Sequence, residues 1–365
     1  MNIILIILVF GVIIFFHELG HFIVAKINHI TVKEFSMGFG PKLFQFHKKE
    51  TQYTLRLIPL GGYCMMLSED DEENENDENS FEKKSIWARM AVVLAGPAMN
   101  FVIAFLFSMV IIHFCGSDPA IIGAVYNKDN IEKYQIENAE EYFNGVYPAE
   151  EAGISDGDRV LKIEGSTVKN FRELQIYLQI YGDGSPIDLT LEKEDGTVYD
   201  TTVHPAKTPD GYKIGIMSVG YQLPKNFGEL CKYSAYETRY WVKATFLSLK
   251  LIVTRQVSSD EVYGPVGVAK NMNDTFNEAA KSSVLDLFLN WMNYIVLLSA
   301  NLGVMNLLPI PGLDGGRFIF LLIEAVTRKK VPKDKENIVT LIGFVLVMLL
   351  MVVILFNDIK NVFFH

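Results

Sequence analysis

His17, Glu18 and His21 lie within one short stretch, His-Glu-Leu-Gly-His. Histidines four residues apart fall on one face of a helix, so two imidazoles can converge on a single metal ion. The glutamate between them is placed to take a proton from a water held at that ion. On spacing alone this is the signature of a metal-dependent hydrolase. The surroundings are unusual for one. Residues 2–16 carry no charge, and Asn2 is their only strongly polar side chain. Two imidazoles and a carboxylate are costly at membrane depth unless they serve a site. The bland alternative is a short buried helix with satisfied histidines, and it leaves the coincidence of ligand spacing and apolar span unexplained.

The elements that must position these residues follow from where the apolar weight falls. Half of the 365 residues are hydrophobic and the mean hydropathy is positive. The apolar residues come in blocks, as membrane spans require. The first span is 1–27, with His17 about 24 Å along it at ~1.5 Å per residue. It lacks a basic start, and His-Glu stands where a small-residue cleavage site would be, so it is expected to be retained. The net charge is −10, but eight acids sit in one run, Glu69 to Glu78. Without that run the chain is nearly neutral, and no nucleic-acid partner is suggested. Three scattered cysteines support neither a disulfide framework nor a cysteine zinc site.

Residues 28–67 alternate at Lys42–His47 and Gln52–Leu57. This predicts short strands with a turn at Lys48-Lys49-Glu50, in a membrane-associated β loop. Pro59 and Gly61-Gly62 break the pattern, and a glycine-rich strand end leaves backbone free for another chain to approach. Residues 68–90 form an acidic linker and an amphipathic lead-in, with Trp87 and Arg89 suited to a headgroup boundary. Span two is 91–114. It carries Gly96-Pro97 and Asn100, whose polar groups need partners inside the membrane.

Residues 118–215 change character, with charges, turns and alternating strands. Pro148-Ala149-Glu150-Glu151-Ala152-Gly153 and Gly157-Asp158-Arg159-Val160 resemble the PDZ signature, so an α+β domain with a peptide groove beside Phe171–Gln179 is expected. An extra polar stretch between Val125 and Tyr147 departs from it. Residues 225–282 read as an interfacial helix and loop, because charges interrupt the apolar period. Span three opens 284–325 and ends at Pro309 and Pro311, which cannot continue a helix. The glycines at 312, 315 and 316 then allow a tight path that presents Asp314 on irregular backbone. Span four is 337–356.

Nine Lys and Arg lie from Lys26, at the end of span one, to Arg89, before span two, and five between Arg328 and Lys335. These loops are therefore expected in the cytoplasm and the 118–215 domain outside. His17 and Asp314 then lie at the same membrane face. A catalytic zinc site takes three protein ligands and keeps one position open. The other histidines lie in loops, at the opposite face, in the soluble domain or at the terminus. Asp314 and Glu324 remain as candidates for the third ligand.

HELGH at 17–21, Gly61-Gly62-Tyr63, Gly96-Pro97 with Asn100, the PDZ-like segment and NLLPIPGLDGG at 306–316 stand in the order seen in the site-2 protease family. The chain resembles its bacterial regulator of sigma-E protease branch over nearly its whole length. The resemblance implies a polytopic α-helical membrane protein with four transmembrane helices, a membrane-associated β-hairpin or re-entrant loop, and an inserted extracytoplasmic PDZ-like domain. It implies an intramembrane zinc metalloprotease of the bacterial cytoplasmic membrane that cleaves membrane-spanning segments, with anti-sigma factors or remnant signal peptides as substrates. It implies Zn2+ on His17, His21 and Asp314, and Glu18 as catalytic base. Asn306, Asn100, Gly61, Gly62 and Tyr63 are then expected to hold the substrate. The alternative is a non-catalytic membrane scaffold that binds peptides through its PDZ-like domain.

Overall fold

The computed structural model describes residues 2–68, 77–133, 143, 145–254 and 264–364. Most of the acidic run at 69–78, part of the polar stretch before Tyr147, and residues 255–263 of the expected interfacial segment lie outside these. The chain divides into two compact units, Met1–Ser108 with Trp241–His365, and Met109–Tyr240.

The first unit opens with helix α1 (Asn2–Ile27). Its end is set by local chemistry rather than by a glycine. His29 takes the left-handed conformation at φ 55°. The N–H of His29 then donates to the Lys26 carbonyl and that of Ile30 to Ala25. This is the Schellman pattern, with the usual contact between Ile30 and Ala25 closing it.

Strands β1 (Val32–Lys48) and β2 (Thr51–Met66) follow. They are longer than the alternation suggests, because each bends instead of ending. Residues 34–37 of β1 pair with 62–65 of β2 on one side and with 52–55 on the other, while 42–48 pair with 51–56. The hairpin is thus folded back into four strand segments, and 62–66 forms one edge. The irregular register around Gly38, Phe39 and Gly61 is what absorbs the expected breakers. An arginine crosses the fold. Arg56 donates to Ser36 Oγ, the Gly40 carbonyl, Glu34 and Tyr63 Oη at 2.6–3.0 Å.

Helix α2 (Ile86–Cys115) begins five residues before the expected span. Trp87 is exposed, and Arg89 is buried within the protein. A carboxylate on a distant helix draws it in: Arg89 grips Glu324 with two hydrogen bonds of 3.1 and 2.5 Å.

The second unit carries β3 (Ile122–Val125), α3 (Lys128–Lys133), α4 (Pro148–Glu151), β4 (Arg159–Ile163), β5 (Ser166–Thr167), α5 (Phe171–Ile180), β6 (Ile187–Glu192), β7 (Val198–Val203), β8 (Ala206–Thr208), β9 (Gly211–Lys213) and β10 (Ile216–Ser218). Antiparallel β5-β4-β6-β7 form the main sheet, and β10 pairs with β3. Asn170 and Glu173 cap α5 reciprocally, Asn170 Oδ1 accepting from the Glu173 N–H and Glu173 Oε2 from the Lys169 N–H. A groove runs between α5 and residues 212–216, and Phe143 is buried in it.

Five helices complete the chain: α6 (Phe227–Val253), α7 (Pro265–Ser282), α8 (Val284–Leu307), α9 (Asp314–Thr327) and α10 (Lys333–Phe364). Among the described residues four helices are long and apolar enough to cross a membrane, namely Asn2–Ile27, Ile86–Cys115, Val284–Leu307 and Asp334–Lys360. The chain is thus a mostly helical multi-pass membrane protein, and α6 is not one of its candidate spans.

The core of the first unit joins Val9 and Ile13 of α1, Ile103 of α2, Met272 and Phe276 of α7, and Ile295 of α8. Small residues set how closely α1 and α2 approach. A Cβ added at Gly20 would lie 2.3 Å from the Ala95 carbonyl oxygen, whereas one at Gly11 meets nothing within 4 Å. Gly20→Val is therefore expected to cost about 1–3 kcal/mol of overpacking, read as a lowered thermal unfolding temperature in detergent. Gly11→Val is the matched control and should leave it nearly unchanged.

Candidate metal centre

The two histidines of α1 meet α2 at its proline. Pro97 lies inside the helix and has no N–H to donate. Five residues earlier, the Val92 carbonyl lies 2.8 Å from His21 Nδ1. The ring donates from that nitrogen, which leaves the Nε2 lone pair facing inward. Gly96 makes room for both rings. A Cβ there would fall 2.2 Å from His21 Nε2 and 2.8 Å from His17 Cε1.

His17 is fixed by Asn100, which is fully buried. The Asn100 amide lies 3.1 Å from His17 Nδ1, and its Oδ1 is buried without a donor. The two ends of an amide are interchangeable in heavy-atom position. Turned over, Oδ1 accepts the Nδ1 proton, satisfies itself, and frees His17 Nε2 in the same sense as His21.

The third corner comes from the helix break. Gly315 and Gly316 let the start of α9 lie directly against the preceding turn, since a Cβ at either would meet the Leu308 or Ile310 carbonyl oxygen at 2.2–2.4 Å. Asp314, the first residue of α9, is thereby turned toward α1. His17 Nε2, His21 Nε2 and Asp314 Oδ2 lie 3.2–3.4 Å from one another. A four-coordinate ion with bonds of about 2.0–2.1 Å spaces its ligands roughly 3.3 Å apart. Asp314 Oδ2 is buried with no hydrogen-bond donor. Three lone pairs facing one point repel unless a cation lies between them, so the donor set fits zinc. Among the described residues this is the one His, Cys, Asp or Glu cluster with such geometry. Glu324, the open alternative, points to Arg89 instead.

Glu18 joins the same cavity of about 410 Å³, together with Tyr63, Glu82 and Arg317. The β2 edge passes directly over it. A Cβ at Gly62 would lie 3.2 Å from Glu18 Cγ and 3.3 Å from Ile14 Cγ2. Asn306, at the end of α8, brings its amide to 3.4 Å from His17 Nε2. Eight of the nine residues singled out in the sequence thus lie around one place, with Asn100 behind an imidazole, whereas Gly61 lies against the Phe39 ring. The sequence reading did not single out the Val92 carbonyl, Gly20 or Arg317. Of these only Gly20 carried a signal, a small residue beside a histidine in a helix that must pack closely.

Three apolar helices meeting at two imidazoles, a carboxylate and an adjacent acid, in a chain with four candidate spans, have the makeup of a membrane-embedded metal-dependent hydrolase. Comparison with known proteins agrees. The family profile described as Peptidase family M50 matches residues 5–350. A Clostridium acetobutylicum protein is 37% identical over 98% of this chain and 97% of its own length. Zinc metalloprotease RasP of Geobacillus kaustophilus is 32% identical over 99% of this chain and 98% of its own. Regulator of sigma-W protease RasP of Bacillus subtilis is 29% identical over 98% of each. The chain belongs to peptidase family M50 and is a zinc metalloprotease of the site-2 protease type.

The geometry distinguishes an orienting role for Asn100 from a substrate-binding one. Asn100→Leu is expected to weaken zinc binding about 10–100-fold, as loss of an outer partner of a ligating histidine does. Competition with a chromogenic chelator measures it. Unchanged zinc affinity with a raised KM would return Asn100 to the substrate.

Proposed function

We propose that His17, His21 and Asp314 hold the zinc ion, that Glu18 is the catalytic base, and that the 61–66 edge receives an unwound stretch of a membrane-spanning substrate. The observation that carries this is the triangle of two Nε2 atoms and one carboxylate oxygen at 3.2–3.4 Å. When bound, zinc supplies a Lewis acid that polarises the scissile carbonyl and makes water acidic near neutrality. Glu18 takes the proton of the attacking water and passes it to the leaving amine. The Asn306 amide N–H donates to a substrate carbonyl and holds the scissile bond at the centre. A transmembrane helix hides its peptide bonds in its own hydrogen bonds, so the cleaved stretch must be extended. Backbone groups of Gly61, Gly62 and Tyr63 replace the bonds lost on unwinding, as an added strand does.

The distribution of Lys and Arg supports an orientation with the 28–90 and 328–335 segments in the cytoplasm. The centre then opens near the cytoplasmic face, where water is available. Residues 118–215 then form a PDZ-like domain on the outer side of a bacterial cytoplasmic membrane, in which the four helices lie. The groove beside α5 and the strand signature support the PDZ-like reading. The relative named regulator of sigma-W protease supports membrane-anchored anti-sigma factors as one substrate class, with remnant signal peptides as another. A non-catalytic scaffold is not favoured, since the acid, the donor set and the family agree on hydrolysis.

Glu18→Gln is expected to retain zinc and lose cleavage of a model transmembrane substrate by at least about 100-fold, the low end for removing an acid–base group. Unchanged turnover rejects the role of Glu18. Asp314→Ala is expected to lower the zinc content of the purified chain, measured by atomic absorption, and full occupancy rejects it as a ligand.

A further inference from the structure

Hydrolysis creates a pair of opposite charges in the cavity at the centre. One C–N bond breaks and one C–O bond forms. At neutral pH the new acid gives up its proton and the new amine takes one, so a neutral amide becomes a carboxylate and an ammonium group. The cavity already contains three carboxylates, Glu18, Glu82 and Asp314, and Arg317 is the only Lys or Arg among its lining residues. With zinc bound, the ion offsets part of this charge, yet a fourth carboxylate still meets three like-charged side chains, and Arg317 is the one Lys or Arg of the lining that can receive it.

Arg317 is built for that. It lies three residues after Asp314 on α9, so both share one helix face. Its side chain is exposed, and among the described residues its guanidinium has no hydrogen-bond or ion-pair partner. It also lines the adjoining cavity, whose other cations are engaged. Arg89 there is held by Glu324, and Lys330 Nζ is directed at the Glu82 carbonyl. A guanidinium matches a carboxylate with two parallel N–H donors.

We propose that Arg317 binds the carboxylate that cleavage creates and draws it away from Glu18 and Asp314 toward the adjoining cavity. The inference rests on the reading of the centre as hydrolytic. It makes Arg317 a product-binding residue and assigns it no part in bond breaking.

The test uses the full chain in detergent, loaded with zinc. The probe is a fluorescently tagged six-residue alanine–leucine peptide, once as its free acid and once as its C-terminal amide. Anisotropy gives the two dissociation constants. The unaltered chain is expected to prefer the acid about tenfold, within the range of one charge-assisted pair. In R317Q the preference should fall to near one with amide binding unchanged, and R317K should retain part of it. A full preference in R317Q overturns the proposal, since the metal then holds the acid unaided. Equal binding of acid and amide by the unaltered chain overturns it without any variant. Zinc content and cleavage of a transmembrane substrate by the unaltered chain are measured alongside. If both are absent, the hydrolytic reading fails and takes this inference with it. If cleavage is present and R317Q keeps its preference, only this inference fails.

Discussion

The first unit depends on how two imidazoles are paired inside an apolar helix bundle. Each ring has two nitrogens, and only one can face an ion. The other must meet an acceptor, because an unpaired polar group at membrane depth has no water to turn to. Helix α2 supplies an acceptor for each ring, the Val92 carbonyl for His21 and the Asn100 amide for His17. Those acceptors are in reach only because α1 and α2 nearly touch at Gly20 and Gly96. The glycine and proline of α2 are therefore tied to the histidines of α1. Close approach and the fixed sense of both rings are one constraint.

The same economy governs the third corner. An ionisable group costs up to about 2.5–3.5 kcal/mol on insertion scales, the full figure applying at the bilayer centre, so three of them together cost at most roughly 10 kcal/mol. Zinc binding to a protein site is worth about 10–16 kcal/mol near neutrality. The gain from the ion offsets that cost, which makes the cluster sustainable with an ion and unfavourable without one. It also explains why Asp314 is presented by a helix break. Residues 308–313 between α8 and α9 expose backbone polar groups, and such backbone is stable at this depth only when it lines a cavity or packs against protein. Gly315 and Gly316 achieve the packing, and Gly343 of α10 continues it, since a Cβ there would meet Pro311 at 2.4 Å.

The sequence revealed these features unevenly, and the reasons are physical. Apolar blocks identify spans because hydrophobic length is a local property, and α1, α2, α8 and α10 correspond to them. The histidine pair was legible because i and i+4 fix a shared face whatever surrounds them. Asp314 could be singled out because proline and glycine dictate backbone locally, yet Glu324 stayed open. What separates the two carboxylates is the partner of Glu324, and Arg89 lies 235 positions away. The same distance along the chain hid the partner of Arg89. The β hairpin was the least legible element. Its glycines and Pro59 read as ends of strands, whereas bulges let two long strands fold back on each other. Register of that kind is decided by pairing between distant residues, and alternation along one strand carries no record of it.

The folded-back hairpin ties substrate presentation to chemistry in the proposed reaction. Its edge segment has one side occupied by residues 34–37 of β1, so a substrate strand can add only on the other side, about 4.8 Å away. Gly62 lies against Glu18 with no room for a side chain between them. The distance from the added strand to the catalytic acid is therefore set by backbone contact and not by adaptable side chains. Arg56 stiffens that arrangement from behind, joining Ser36, Glu34 and Tyr63 across the segments. A substrate that stays helical cannot satisfy this edge, because its own hydrogen bonds already occupy the groups the edge needs. Selection then falls on how readily a membrane helix gives up those bonds, and sequence motifs around the scissile bond matter chiefly through that cost.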